Sequence, residues 1–430
     1  MRSLHGIRRL GWCALLLGAV GAACGGGGGG GTDADAGDAG DALPDGRAFF
    51  LGARLEGYDI TASRQRVFSV EAAGDPALSE VVVVPVDQLG LPWEAFKGPD
   101  NTPVELPAAW VAAVDAMKAA ALATGKPMVL SLSPLAPTLD TLAPDARDES
   151  GLLVLNTQWT ARCYDPSKDP DPERYRDRYA GFVAWVVQRF DPRWVVLARR
   201  VNRYEVCGRS AYDAVLGFVS EAGRRLDALP TGAVSAETLV TVDVEDLYGY
   251  PRPGGPCDTL GAAACLATRQ GLLDGIDADL LGLESYPATA LPSLGQLPQD
   301  WLERVAAARA DLPSAVAGTS LPAVDLYTRE GTCQPLLVSS DVVQRAWLDQ
   351  VLSTAADREM AFVVWHPLQD LLDADAASAC PCSPADPVCV HLDQLGAGAS
   401  DVRRFVTGGL FEHDGTERIG GTLWKGLLAP

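Results

Sequence analysis

From Arg47 onward, short apolar runs alternate with segments whose apolar residues recur at three- and four-residue spacing. The runs are Phe49 to Ala53, Val81 to Val86, Met128 to Ser133, Val195 to Arg200, Leu239 to Val244, Leu280 to Ser285, Ala315 to Thr319 and Ala361 to Trp365. Between them, Leu106 to Thr124, Tyr175 to Phe190, Ala211 to Leu229, Trp301 to Ala310 and Val342 to Ala356 carry the stripe of a helix lying on a sheet. Strand and helix in alternation predict a parallel sheet with crossover helices, and eight strands are the number that closes an α/β (β/α)8 TIM barrel. No internal repeat shows at the residue level.

The irregular surplus falls after presumed strands, at Ala136 to Arg174, Tyr250 to Arg269, Leu321 to Ser340 and Leu371 to Ser400. In this fold the loops that follow strands build the functional face. A chain of 430 residues could hold two or three average domains, but one barrel over residues 47–430 with long loops also accommodates it.

The first 46 residues read differently. Residues 1–24 carry Arg2, Arg8 and Arg9, an apolar run from Leu10 to Val20, and Gly21-Ala22-Ala23 before Cys24, the organisation of an export signal. The run is too short to span a bilayer permanently. Its end resembles the bacterial lipoprotein site at which the cysteine becomes the lipidated first residue. Gly21 stands where an aliphatic residue is usual, so cleavage after Ala23 without lipidation is the alternative. Both place the protein outside the cytoplasm, at the cell envelope or secreted. Residues 25–46 hold seven consecutive glycines and then alternate Asp, Ala and Gly, which predicts a flexible, self-repelling tether on the order of 25 Å long.

Apolar residues make up 47% and charged residues 21% of the chain, ordinary values for a globular protein with a full core that depends on no cofactor. The formal charge of −21 argues against nucleic acid, whose binders need a surplus of lysine and arginine, and against adsorption to anionic lipid. Of 10 cysteines, Cys13 and Cys24 fall in the leader. The other eight, in an exported chain, favour disulfides. Cys257 with Cys265 would close a short loop, and Cys163 with Cys207 would join two loops at one barrel end, although sequence does not fix connectivity. Cys380-Pro-Cys382 with Cys389 has a spacing open to zinc, but few histidines accompany it (His366, His391, His413), and the expectation is no metal.

With the strands placed, the chain resembles barrels of the large glycoside hydrolase superfamily whose two catalytic glutamates end strands four and seven, nearest the endo-β-1,4-galactanase type. The resemblance runs from about Phe49 to Leu428. It rests on Leu89-Gly90-Leu91-Pro92-Trp93-Glu94, Leu132-Ser133-Pro134-Leu135, Val201-Asn202, Leu281-Gly282-Leu283-Glu284-Ser285-Tyr286-Pro287, Gly318-Thr319-Ser320-Leu321-Pro322, Phe362-Val363-Val364-Trp365, and Gly415-Thr416-Glu417 before Leu423-Trp424. Carried over residue by residue, the acid/base position falls on Arg200 and the nucleophile position on Gly318. Retaining hydrolysis requires two carboxyl groups about 5–5.5 Å apart. Arginine stays protonated at any working pH and glycine has no side chain, so the resemblance implies a degenerate member that lacks that chemistry.

The resemblance also implies ligand-contact positions at Asn202, Tyr286, Trp365, Trp93 and Asp370, with core packing as the alternative for the aromatic residues and a solvated loop acid for Asp370. By two-residue alternation Thr241, Asp243 and Glu245 share one strand face, and Glu284 ends the sixth strand. If these faces point inward, Arg200 meets acids and forms an ion-pair network; the alternative is a relocated catalytic set of Glu245, Glu284 and Asp243. Asp87, Glu205 and His366 are weaker candidates. The leading expectation is an envelope-anchored barrel that binds a carbohydrate or cell-envelope glycan. An active hydrolase and a purely structural envelope protein are the alternatives.

Overall fold

The computed structural model describes residues 47–55, 78–98, 102–136, 139–230, 235–250, 260–290, 297–327, 335–370, 408–412 and 414–429, with residues 100, 257 and 294. The leader, the tether, Cys333 and the whole 371–400 insertion with Cys380, Cys382 and Cys389 lie outside the described residues.

Eight parallel strands close into a barrel in sequential order: β1 (Phe50–Arg54), β2 (Val81–Pro85), β3 (Met128–Ser131), β4 (Trp194–Ala198), β5 (Glu237–Asp243), β6 (Leu280–Ser285), β7 (Ser314–Thr319) and β8 (Phe362–Trp365), with β8 pairing back onto β1. All eight coincide with the expected runs to within two or three residues. Around them lie α1 (Ala108–Ala123), α2 (Pro172–Phe190), α3 (Arg209–Asp227), α4 (Ala262–Arg269), α5 (Trp301–Ala307), α6 (Asp341–Asp357) and α7 (Ile419–Leu428). This is the (β/α)8 TIM barrel that the alternation predicted.

Side chains sort by strand alternation into two packed sets. Val81, Val83, Val129, Trp194, Val196, Leu239, Leu280, Ala315, Phe362 and Val364 form the inner cluster. Their neighbours Val82, Val84, Leu130, Val195, Leu197, Val240, Leu281, Val316 and Val363 pack with the helices. Both strand faces are therefore buried, which is why the runs read as continuous apolar stretches rather than as an alternation. Phe50, Trp194 and Phe362 meet edge to face at 5.7 and 5.1 Å and fill the N-terminal end of the barrel.

The helices present one apolar face inward. In α3, Ala211, Tyr212, Val215, Leu216, Phe218, Val219 and Ala222 are buried at helical spacing. The N-cap of α6 is Ser340, whose hydroxyl accepts from Val343 N, and α2 opens with Pro172 in its first turn. α7 closes the structure: Trp424 Nε1 donates to Leu78 O at 2.8 Å, and Arg47 binds both Leu427 O and Glu80.

Three expected irregular loops contain regular structure; in the 321–340 segment Leu326–Tyr327 pairs antiparallel with Pro335–Leu337. Asp145–Glu149 and Leu152–Asn156 form an antiparallel hairpin within the 136–174 insertion, turned by Ser150 and Gly151, both at positive φ. The first strand, Asp-Ala-Arg-Asp-Glu, has no apolar alternation, so the periodicity that marks strands is missing. α4 lies within the 250–269 segment. Disulfides join Cys163 to Cys207, across the loop after β3 and the turn after β4, and Cys257 to Cys265.

Candidate functional site at the barrel mouth

At the carboxyl ends of the strands the inner face turns from apolar to charged. Beyond Val81 and Val83 come Pro85 and, in the following turn, Asp87; beyond Leu239 come Thr241 and Asp243; beyond Leu280 comes Glu284. Glu284 lies opposite Asp243 on one side and Gly318 on the other. It is 2% exposed and its two oxygens are fully engaged. Arg199 grips it with both Nε (3.0 Å) and Nη2 (2.7 Å), Arg200 Nε donates at 2.7 Å, and Thr241 Oγ1 donates at 2.7 Å. Arg199 also reaches Asp87 at 3.3 Å, Arg54 approaches Asp87 at 3.8 Å, and Arg203 approaches Asp243 at 3.5 Å. Arg54, Arg199, Arg200 and Arg203 thus face Asp87, Asp243 and Glu284.

Arg199 escaped the sequence reading. Adjacent residues on a strand point to opposite faces, so only one arginine of the Arg199-Arg200 pair is expected inside. The strand ends at Ala198, and Arg200 takes a left-handed conformation (φ 46°, ψ 43°) that breaks the alternation. Arg200 N donates to Thr241 Oγ1 at 2.8 Å, which ties this turn to β5. Both guanidinium groups then converge on one carboxylate.

The electrostatics follow from burial and partners. Burial works to push Glu284 up, but Arg199 and Arg200 outweigh it and hold the carboxyl well below the usual range. Burial disfavours the charge on the two arginines, and Glu284 more than compensates, raising both. Glu284 is therefore a fixed anion, unfit to donate a proton, and its lone pairs are occupied.

Glu245 departs from the expected strand face. Asp243 Oδ1 accepts from Asp246 N and caps a single helical turn, Val244–Leu247, so the two-residue alternation ends at Asp243. Glu245 instead accepts from Ser285 Oγ and from Tyr286 N (3.1 Å). Burial pushes it up to about 8, with Asp243 adding to the shift. It is 2% exposed.

At the nucleophile position a Cβ on residue 318 would overlap the Tyr286 hydroxyl oxygen and lie 3.2 Å from its Cζ. Tyr286 fills the volume that a side chain at 318 would need, and the Arg200 guanidinium sits 4.8 Å over the tyrosine ring. Burial, reinforced by Glu284, pushes the phenol up to about 12.

The remaining sequence candidates sit within the fabric of the fold. Asn202, fully buried, donates to Asp243 O and Asp246 Oδ2 and accepts from Asp243 N, joining the turn after β4 to the end of β5. Arg269 from α4 completes this buried cluster through Asp246 at 2.8 Å, a pairing the sequence gave no spacing signal for. Trp93 donates to Ala143 O and packs among Trp159, Tyr175, Tyr179 and Phe218, behind the sheet. Trp365 is completely covered and donates to Gly408 O. Asp370 accepts from Gly409 N and binds Arg418 at 2.6 Å, anchoring the approach to α7. In this conformation none of these four offers an open face to a ligand. Among the described residues, Arg199, Arg200, Arg203 and Asp243 contribute exposed polar surface at the mouth, their side chains being 20, 21, 37 and 13% exposed. Among the described residues no group of His, Cys, Asp or Glu is arranged to hold a metal ion.

No protein-family model matches the chain, and no curated protein matches it. Solved structures do. An exo-β-1,4-mannosidase from Opitutaceae bacterium strain TAV5 superposes with a TM-score of 0.50 at 14% identity, over 90% of this chain and 60% of that one. The chain thus spans about three fifths of that enzyme. A fungal β-1,4-galactanase matches at 12% identity over 87% of this chain and 98% of that one (TM-score 0.47). An endo-1,4-β-xylanase from Caldicellulosiruptor owensensis matches at 11% identity over 88% and 96% (TM-score 0.47). What this chain shares with the mannosidase is the fold, a (β/α)8 barrel.

Proposed function

We propose that this chain is a carbohydrate-binding barrel that has exchanged glycosidic hydrolysis for an arginine-filled mouth, and that it is held at the cell envelope by a lipid on Cys24. The observation that carries the first part is the clamp of Arg199 and Arg200 on Glu284. Retaining cleavage needs one carboxyl that gives up a proton and another that attacks the sugar. Here Glu284 is bound by two cations and a hydroxyl, and the space beside Gly318 is occupied by a tyrosine. Binding remains available because the mouth is lined by partly exposed hydrogen-bonding groups.

Incubating the purified full chain with β-1,4-galactan, β-1,4-mannan and xylan is expected to release no reducing ends, while affinity electrophoresis shows retardation in at least one of them. Measurable hydrolysis ends the non-catalytic reading, and absence of retardation in all three ends the binding reading. For the anchor, Cys24→Ser is expected to move the protein from the membrane fraction to the soluble exported fraction. An unchanged distribution rules out lipid attachment at that cysteine.

A further inference from the structure

We infer that the outer edge of the Arg200 guanidinium is a receptor for the carboxylate of an acidic sugar, so that the saccharide held at this mouth carries a uronate. This deepens the glycan-binding reading and rests on it. Three features of Arg200 support it.

The first is its unused donors. A guanidinium has five N–H groups in a planar fork. Arg199 spends Nε and both terminal nitrogens on Glu284 and Asp87. Arg200 spends only Nε; among the described residues its Nη1 and Nη2 make no hydrogen bond, and the side chain is 21% exposed. These two nitrogens form the edge that pairs with a carboxylate through two parallel hydrogen bonds.

The second is rigidity. Nε is fixed on a buried carboxylate, the plane lies over the Tyr286 ring, and the backbone is held in a left-handed conformation by the bond to Thr241. Little rotamer freedom is left to lose on binding, which favours a fixed planar anion over a diffuse counter-ion. Strained conformations of this kind persist where the surroundings over-determine them and concentrate at binding sites.

The third is local charge. Among the described residues Arg199 and Arg200 share Glu284, and Arg199 alone hydrogen-bonds a second carboxylate, Asp87. Arg200 thus presents positive charge at the mouth of a chain whose formal charge is −21. An anionic sugar disfavoured by the acidic net charge is attracted to this group, which gives the site selectivity as well as affinity.

The test compares saccharides that differ at one carbon. Calorimetry on the full chain uses β-1,4-linked tetramannuronate against mannotetraose, and tetraglucuronate against cellotetraose; each pair differs by a carboxylate in place of a hydroxymethyl group. At least one acidic member is expected to bind about 10-fold or more tightly than its neutral partner at low salt. Methyl esterification should erase the advantage, and Arg200→Gln should bring the ratio of acidic to neutral affinity to about 1. Should Arg200→Gln fold poorly, Arg200→Lys keeps a charge but loses the planar fork and is expected to keep only a minor part of the preference. Equal affinity for acidic and neutral members overturns this inference and leaves the glycan reading standing. Tighter binding of 6-sulfated cellotetraose than of tetraglucuronate makes the recognised anion a sulfate ester and overturns the carboxylate assignment. If no saccharide binds, both readings fall.

Discussion

Glu284→Gln is expected to lower the stability of the fold by about 3–5 kcal/mol, the range seen when one partner of a buried ion pair is removed. Glutamine keeps the shape and can still accept from Thr241, but it presents one acceptor oxygen and a donor amide to two guanidinium groups. Arg199 loses its two-pronged grip and Arg200 loses the bond that fixes Nε, while the site is 2% exposed at the carboxylate and admits little water to replace them. Equilibrium urea unfolding of the wild type and the variant at neutral pH measures the cost. A cost below about 1 kcal/mol shows that the two arginines find other partners and that the carboxylate is not the centre of the network.

The same group predicts a pH dependence whose sign is fixed. The folded-state pKa of Glu284 is depressed by Arg199 and Arg200 to well below its unfolded value of about 4.3. Its contribution is therefore fully present above about pH 4.3 and is lost as pH falls from there through the folded value. Between pH 6 and pH 3 the wild type should lose more stability than Glu284→Gln, which has no proton to take up at this position. Parallel stability curves for the two proteins over that interval contradict the clamp.

The legibility of the barrel and of its mouth in the sequence differs for a physical reason. Strands buried on both faces leave continuous apolar runs, and β6 emerged at Leu280–Ser285 with no shift at all. Asp243 and Glu284 were placed at the mouth by alternation alone, because both still lie within strands. One residue past a strand end, alternation stops constraining the side chain. Arg199 and Arg200 both turn inward only because residue 200 is left-handed, and Glu245 leaves the strand face only because Asp243 caps a helical turn. Neither event has a periodic signature. Asn202 shows the same limit: its position beside the site was legible, but its commitment to Asp246 and to the Asp243 backbone depends on a helical turn that local sequence does not announce. That position 318 lacks a side chain could be read directly. What fills the space could not, since Tyr286 arrives from the neighbouring strand.

Gly318→Glu is expected to cost about 3 kcal/mol and to restore no hydrolysis, because the incoming side chain must occupy space already held by Tyr286. The first added atom, Cβ, overlaps the tyrosine hydroxyl and lies 3.2 Å from Cζ, and β7 cannot retreat while it pairs with β6 and β8 on either side. Nor can the tyrosine swing away freely, since its backbone N–H is bound to Glu245 and its ring lies beneath Arg200. Gly318→Ala isolates the overlap from any effect of charge. In the wild type it should cost about 1–3 kcal/mol, and in a Tyr286→Phe background, where the overlapping oxygen is gone, at least about 1 kcal/mol less. Equal costs in the two backgrounds would show that residues 286 and 318 do not compete for the same volume. Adding Arg200→Glu does not rescue catalysis either, for it sets a second carboxylate beside Glu284 with Arg199 as the nearest remaining cation. A working acid pair then requires at least three coordinated changes, at 200, 286 and 318, and each single step toward it passes through a destabilised protein.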